Sequence, residues 1–229
     1  MGSIKGLEWT FDTVASTYEK LRPGYSDELY QMLFNYISIG QSSNVVEVGI
    51  GGGQATLPIL KTGGNLRAVE YGEQFSKICK ENFKEYPNFA VITDKFENTK
   101  LEDETYDLIY SASAFHWVPE EIGYPKVFAM LKKGGAFARF ANHPYRDKDN
   151  PVLSAEIDKV YEAYYCKYYN KKQESPKEYT EEEAQNRAMI AEKYRFTDIR
   201  YALFYRKRVL YSQRKNTLCY LELILTISR

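Results

Sequence analysis

Residues 45–53 read Val-Val-Glu-Val-Gly-Ile-Gly-Gly-Gly. Val45, Val46 and Val48 form a β-branched run of the kind found in a parallel strand buried on both faces. Glycine at 49, 51 and 53 lets the backbone turn sharply and approach a ligand closely. Gln54 to Lys61 can continue as a helix, with Pro58 tolerable only near its first turn. A strand, a glycine turn and a helix N-terminus together make a nucleotide-binding crevice. The dinucleotide fingerprint has glycine at the first, third and sixth positions of Gly-x-Gly-x-x-Gly. Counted from Gly49, the sixth position is Gln54, so the third glycine is missing. An acid, Glu47, precedes the turn, and the pattern is acid-x-Gly-x-Gly-x-Gly.

Working outward, strand and helix signals alternate from 45 to 140, which argues a mostly parallel sheet flanked by helices. Leu66–Glu70, Ala90–Thr93 and Tyr106–Ser111 read as further strands. Ser26 to Gly40 reads as a helix capped by Ser26 and closed by Gly40, with Leu29, Met32, Leu33, Tyr36 and Ile37 on one face. Residues 9–22 read as a shorter helix or lid. The alternation breaks over 145–195. Pro151 to Lys171 is helical in pattern, Ser175-Pro176 marks a loop, and Thr180 with Glu183 forms a capping box for a helix to Lys193. This region reads as an α-helical insertion over the carboxyl edge of the sheet, where a substrate lid sits. Tyr161, Tyr164, Tyr165, Tyr168 and Tyr169 fall at helical spacing, a pattern more often used for core packing than for ligand contact. Phe196 to Leu210 reads as a long strand. Residues 217–227 form either a helix or a final strand.

The 229 residues, 44% of them hydrophobic, suffice for one domain with a substantial core. Lysine plus arginine and aspartate plus glutamate both total 31, which disfavours a dedicated nucleic-acid or membrane-surface binder. The basic cluster Arg206-Lys207-Arg208 with Arg214-Lys215 reads as a solvated face. Cys79, Cys166 and Cys219 lie far apart without zinc spacing, which fits a reducing cytoplasm. The first residues carry no signal-peptide pattern, and no apolar run is long enough to span a membrane.

The acid-glycine turn resembles motif I of the class I S-adenosylmethionine-dependent methyltransferases. The order of the downstream motifs is also similar. Tyr106–Ser111 runs into Ala112-Ser113-Ala114-Phe115-His116-Trp117, which resembles the family's loop beside the methyl group. Leu131–Ala138 resembles its helix end, Gly-Gly turn and fifth strand. Phe11-Asp12, Ala15, Tyr18, Arg22-Pro23 and Tyr25 resemble the lead-in of the methyltransferase type 11 branch, including trans-aconitate methyltransferase-like members. The resemblance implies a Rossmann-like α/β fold in a single domain. Residues 1–40 would form an N-terminal helical lid, 41–142 the cofactor core, 143–195 the substrate lid and 196–229 a C-terminal strand and helix. In that reading 217–227 is the helix and the last strand is missing, leaving an open sheet edge that invites dimerisation.

The implied cofactor is S-adenosylmethionine, with S-adenosylhomocysteine as product. Glu47 would lie near the methionine end, and Gly49, Gly51 and Gly53 would form the cofactor turn. Glu70, about 20 residues after the first glycine, would accept from the ribose hydroxyls. Tyr71, Lys95, Phe96 and Glu97 would border the adenine, and Ala114 the methyl group. Tyr18 and Arg22 belong to the lid, and Arg22 suits a methionine or substrate carboxylate. Phe115, His116, Trp117, His143 and Tyr25 are the substrate-side candidates. His116, one of two histidines, is the candidate base, the rival role being a wall beside the cofactor. No metal constellation is present. The acceptor implied is a small molecule such as a carboxylate. A tRNA or protein methyltransferase and a non-catalytic cofactor-binding homologue are the alternatives, and Gln54 disfavours a nicotinamide oxidoreductase. The expected setting is cytoplasmic, as a monomer or homodimer.

Overall fold

In a computed structural model of the chain, residues 15, 22–145, 150–170, 178–211 and 215–228 are described, with side chains at all of these except 144–145, 169 and 206–228. Seven strands form one sheet in the order β3-β2-β1-β4-β5-β7-β6. They are β1 Asn44–Val48, β2 Asn65–Glu70, β3 Phe89–Thr93, β4 Tyr106–Ala112, β5 Leu131–Tyr145, β6 Thr197–Tyr211 and β7 Lys215–Ser228. β1 to β5 run parallel, whereas β7 is antiparallel to both β5 and β6.

Four helices are interspersed with the first five strands, β3 and β4 being joined without one, and two more lie between β5 and β6. They are α1 Asp27–Tyr36, α2 Thr56–Leu60, α3 Glu73–Asn82, α4 Glu120–Met130, α5 Pro151–Val160 and α6 Glu181–Met189. Ser26 caps α1 by accepting from Leu29 N. The helix ends at Tyr36, earlier than Gly40, because Ile37 is extended. Thr180 and Glu183 make the expected capping box of α6. α5 continues without a break through a wider π-type stretch, Tyr161–Cys166, and one further turn, Lys167–Tyr169.

The period-two alternation of each strand divides the core between the two sheet faces. Val45, Leu66, Leu108 and Ala138 pack with Leu29 and Leu33 of α1, Ile59 of α2 and Cys79 of α3. Val46, Val69, Ile109 and Phe137 pack with Tyr124 and Val127 of α4 and Ala188 of α6. Burial on both faces explains why β1 and β4 read as nearly continuous apolar runs.

The C-terminal expectation is overturned. Residues 215–228 form a strand, not a helix, and it completes a sheet of seven strands among the described residues. Leu221 to Ile227 is rich in aliphatic and β-branched residues. Ten successive pairs with β5 and a long ladder with β6 satisfy its backbone on both sides. The open edge on β5 that suggested dimerisation is therefore filled, and the sheet edges are β3 and β6.

The tyrosine stripe is not core. Tyr161, Tyr164, Tyr165 and Tyr168 are exposed, Tyr168 by 81%. Tyr18 and the Ser175-Pro176 loop lie outside the described residues, as do the side chains of the 206–215 basic cluster.

Candidate functional site

A cavity of about 210 Å³ opens at the carboxyl ends of the parallel strands. The strand order reverses between β1 and β4, and this is where open α/β sheets bind ligands. The wall draws on residues at or near the carboxyl ends of the strands: Gly49 after β1, Glu70 ending β2, Asp94 after β3, Ser113 after β4, and Asn142 towards the end of β5.

The glycine turn is left-handed at 49, 51 and 53, with φ of +73°, +54° and +80°. A side chain at Gly49 would strike the Ala114 methyl, whereas one at Gly51 would enter open space. Gly49 and Gly51 line the cavity. Gly53 does not; it is held against Phe83, whose ring a Cβ would meet at 2.6 Å. Its role is close packing of the turn on α3.

Glu70 is clamped by the turn it faces. One carboxylate oxygen accepts from Gly51 N at 2.8 Å and the other from Gly72 N at 2.8 Å. A carboxylate has about four acceptor sites in all, so it can serve more donors than these two. Tyr71 borders the cavity with the Lys95 ammonium 5.0 Å from its ring centre. Phe96 is buried and lines the wall, and Lys126 holds its loop by donating to the carbonyls of Phe96, Glu97 and Thr99. Asp94 and Glu97 place two further carboxylates at this end.

At the other end, Ser113 is a non-glycine residue in the left-handed region, with φ of +57°. Such strain persists where surrounding contacts hold it and is common at functional sites. Here Ser113 N donates to Phe140 O, and the Ser113 hydroxyl meets Tyr25 OH at 2.9 Å. Tyr25 also packs edge-on against Phe140 at 4.8 Å. Arg22, Ala114, His116 and Trp117 complete this wall.

Besides Gly53, three expected residues fall elsewhere. Glu47 does not line the cavity. It is fully buried, opposite Tyr110 in the β1–β4 register, and accepts from Thr56 Oγ1 and Tyr110 OH at 2.7 Å each. Burial pushes its carboxyl up to about 7, against the lowering effect of the two hydroxyls. Glu47 therefore braces the glycine turn from behind through Thr56, the first residue of α2. Phe115 is also buried, 4.8 Å from Phe137 and 5.4 Å from Tyr124, and is a core residue rather than a substrate contact. His143 lies outside the cavity lining, stacked 4.4 Å from Tyr179.

His116 is exposed at the cavity wall, and neighbouring groups desolvate its ring in part. That desolvation, with Arg187, Arg139 and Arg22 nearby, brings its pKa down to about 4. A ring so held is neutral at pH 7 and a weak base, which suits the wall role better than proton abstraction. With two histidines in the chain, imidazole NMR resolves both. The His116 signals should keep their neutral positions down to about pH 5. A midpoint at 6.5 or above would restore the base.

Gln54, Ser113 and Asn142, which carry no ligand signal in the sequence, also line the cavity. Ser113 and Asn142 follow the same rule that locates Glu70: residues at the carboxyl ends of the strands face the crevice. Asn142 Oδ1 is buried without a hydrogen-bond partner among the described residues. Also among the described residues, no cluster of three or more histidine, cysteine or acidic side chains is placed to hold a metal, and no helix is long and apolar enough to cross a membrane.

Residues 46–138 match the family described as methyltransferase domain. An uncharacterized methyltransferase of Schizosaccharomyces pombe is 29% identical over 143 residues, covering 62% of this chain and 55% of the relative. The chain spans about half the length of such relatives, 48% for a second methyltransferase-like protein of that yeast. Among solved structures, the Haemonchus contortus phosphoethanolamine N-methyltransferase 2 complex with S-adenosylhomocysteine superposes with a TM-score of 0.61 at 13% identity, over 97% of this chain and 59% of that one. Precorrin 8W decarboxylase of Methanobacterium thermoautotrophicum gives 0.58 at 12% identity, over 92% and 94%. The fold is thus the Rossmann-like one shared by class I methyltransferases.

Proposed function

We propose that this chain is an S-adenosylmethionine-dependent methyltransferase acting on a small-molecule acceptor, in the cytoplasm. The observation that carries the reading is the Glu70 carboxylate, fixed by two backbone N–H groups at the edge of a glycine turn. The matched methyltransferase domain over 46–138 supports it.

The residues present fit the cofactor. Glu70 offers a pre-oriented acceptor to two vicinal ribose hydroxyls. Tyr71 and Phe96 supply apolar faces for the adenine, and Asp94 and Glu97 supply acceptors for its amine. Gly51 leaves room for close approach, since its missing Cβ would stand in open space. Asn142 Oδ1, buried and unmatched among the described residues, suits an ammonium or hydroxyl donor. When bound, S-adenosylmethionine would supply an electrophilic methyl group on a sulfonium.

The protein's own contribution is positioning and exclusion of water. Ser113, bonded to Tyr25, ties the segment after Arg22 to the end of β4 and so closes one side of the cavity. Trp117 presents an aromatic face that favours a nearby cation. Neutral His116 walls the cavity and can hydrogen-bond an acceptor without gaining charge. An acceptor that is already deprotonated, such as a carboxylate, needs no base.

Calorimetric titration with S-adenosylmethionine, S-adenosylhomocysteine and NAD tests the assignment. The first two are expected to bind and NAD to fail. Binding of NAD alone would transfer the chain to the oxidoreductases. Cofactor binding with no methylated product in a mass-spectrometric acceptor screen would favour the non-catalytic homologue.

A further inference from the structure

β3 and β4 are joined without a helix, and Phe96 and Glu97 of the connection line the cavity beside the place proposed for the adenine. A pattern of bonds shapes this loop. The Lys95 carbonyl accepts from Asn98 N at 3.0 Å, Thr99 N at 3.1 Å and Thr99 Oγ1 at 2.9 Å, which closes a tight turn. The carbonyls of Phe96, Glu97 and Thr99 accept from Lys126 Nζ, so three carbonyls meet the three donors of one ammonium. That ammonium also stands 4.9 Å from the centre of the Phe96 ring.

Lys126 itself does not line the cavity. It is half-buried on α4, whose Tyr124, Val127 and Met130 sit in the core, so it reaches the loop from a packed element. Among the described residues no carboxylate pairs with it, and its donors serve the loop backbone instead. In a trans peptide, a carbonyl and the following N–H point in opposite directions. With Phe96 O on Lys126, the Glu97 N–H is turned away from the lysine. Lys95 O, taken up inside the turn, likewise turns the Phe96 N–H outward. Neither N–H has a hydrogen-bond partner among the described residues.

Resting on the methyltransferase reading, we infer that Lys126 is a positioning residue for adenine selectivity: by fixing three loop carbonyls from behind the cavity wall, it presents the Phe96 and Glu97 N–H groups to the ring edge of the cofactor's base. An N–H donor there matches adenine N1, and the Asp94 and Glu97 carboxylates match the amine beside it. Hypoxanthine reverses both features, with an N–H at N1 and a carbonyl in place of the amine. Donor then faces donor and acceptor faces acceptor, and each mismatched buried pair is costly. The discrimination needs a loop that is ordered before the ligand arrives, which is what the lysine supplies.

The test titrates the full chain with S-adenosylhomocysteine and with S-inosylhomocysteine by calorimetry, on the wild type, Lys126→Met and Lys126→Gln. The wild type is expected to prefer the adenine compound by about 100-fold. Lys126→Met keeps an apolar stem of similar length without donors. It should lower that preference about tenfold, by weakening the adenine compound while the inosine compound stays within about threefold. Lys126→Gln, with two donors on a shorter stem, should lie between, and it decides the matter if the methionine variant does not fold. A brace of stability alone would weaken both compounds in the same proportion, and that result overturns the inference. So does a folded variant that keeps the wild-type preference. A wild type that binds S-adenosylhomocysteine without preferring it also overturns the inference but leaves the methyltransferase reading standing. If the wild type binds neither compound, that reading falls and the inference falls with it.

Discussion

Glu70→Ala is expected to weaken S-adenosylhomocysteine binding by about 100-fold or more while leaving the protein folded. Three losses combine. The ribose hydroxyls lose an ionised acceptor, and hydrogen bonds to charged groups contribute about 1.5–3 kcal/mol each. Gly51 N and Gly72 N, both held at 2.8 Å by this carboxylate, lose their acceptor. The glycine turn is then less ordered before ligand arrives, so binding must supply that ordering as well. Glu70→Gln keeps one oxygen for one of the two N–H groups and turns an amide toward the other, and it should fall between wild type and alanine. Circular dichroism separates loss of binding from loss of fold. Near wild-type affinity in a folded Glu70→Ala protein would remove Glu70 from the site and, with it, the main support for the cofactor assignment.

The second large effect concerns stability. Glu47 has its carboxyl pushed from 4.5 up to about 7, first by burial. A folded state that holds a proton more tightly than the unfolded chain gains stability at low pH. That gain is complete below the unfolded value and is lost as pH rises through about 7. For the ligand-free protein the contribution lost between pH 5 and pH 8 is about 3 kcal/mol, an order-of-magnitude figure from linkage. His116 acts in the opposite sense and at lower pH. Its lowered folded value removes stability as pH falls from about 6.5 towards 4. Glu47→Gln keeps the shape and stays neutral at every pH. Urea denaturation at pH 5, 6.5 and 8 should show the wild type falling relative to this variant as pH rises. Parallel curves for the two proteins at all three values would mean that Glu47 does not carry a proton in the folded state.

The first strand, the glycine turn and Glu70 were legible because their signals are local. A β-branched run, left-handed glycines and an acid at a fixed distance need no tertiary information. The capping box of α6 was legible for the same reason, since Thr180 and Glu183 are three residues apart. The C-terminus was not. Leu221–Ile227 has too little polar alternation to separate helix from strand, and its pairing partners on β5 lie some 80 residues away. Only tertiary context chooses between the two. Phe115 and His116 illustrate another limit. They are neighbours in one short turn, but one points into the core and the other into the cavity, and nothing in their types decides which. Glu47 misled because an acid beside a glycine loop suggests a ligand contact. Its burial depends on Tyr110, which the parallel register brings opposite from a distant strand. The exposed tyrosines of 161–168 show that helical spacing marks a common face without saying that the face is covered.

The placement of β7 between β5 and β6 bears on how the chain is made. Synthesis delivers β5 and then β6, but β6 has no partner in the sheet until residues 215–228 pair with both. On the ribosome, the first five strands can assemble in order while the outer edge of β5 waits, unpaired, for the last strand to emerge. Long-range pairings of this sort form late and leave a strand edge exposed to association in the meantime. Nascent chains arrested before residue 215 should therefore expose that edge and engage chaperones, whereas pairing of residues 215–228 closes it.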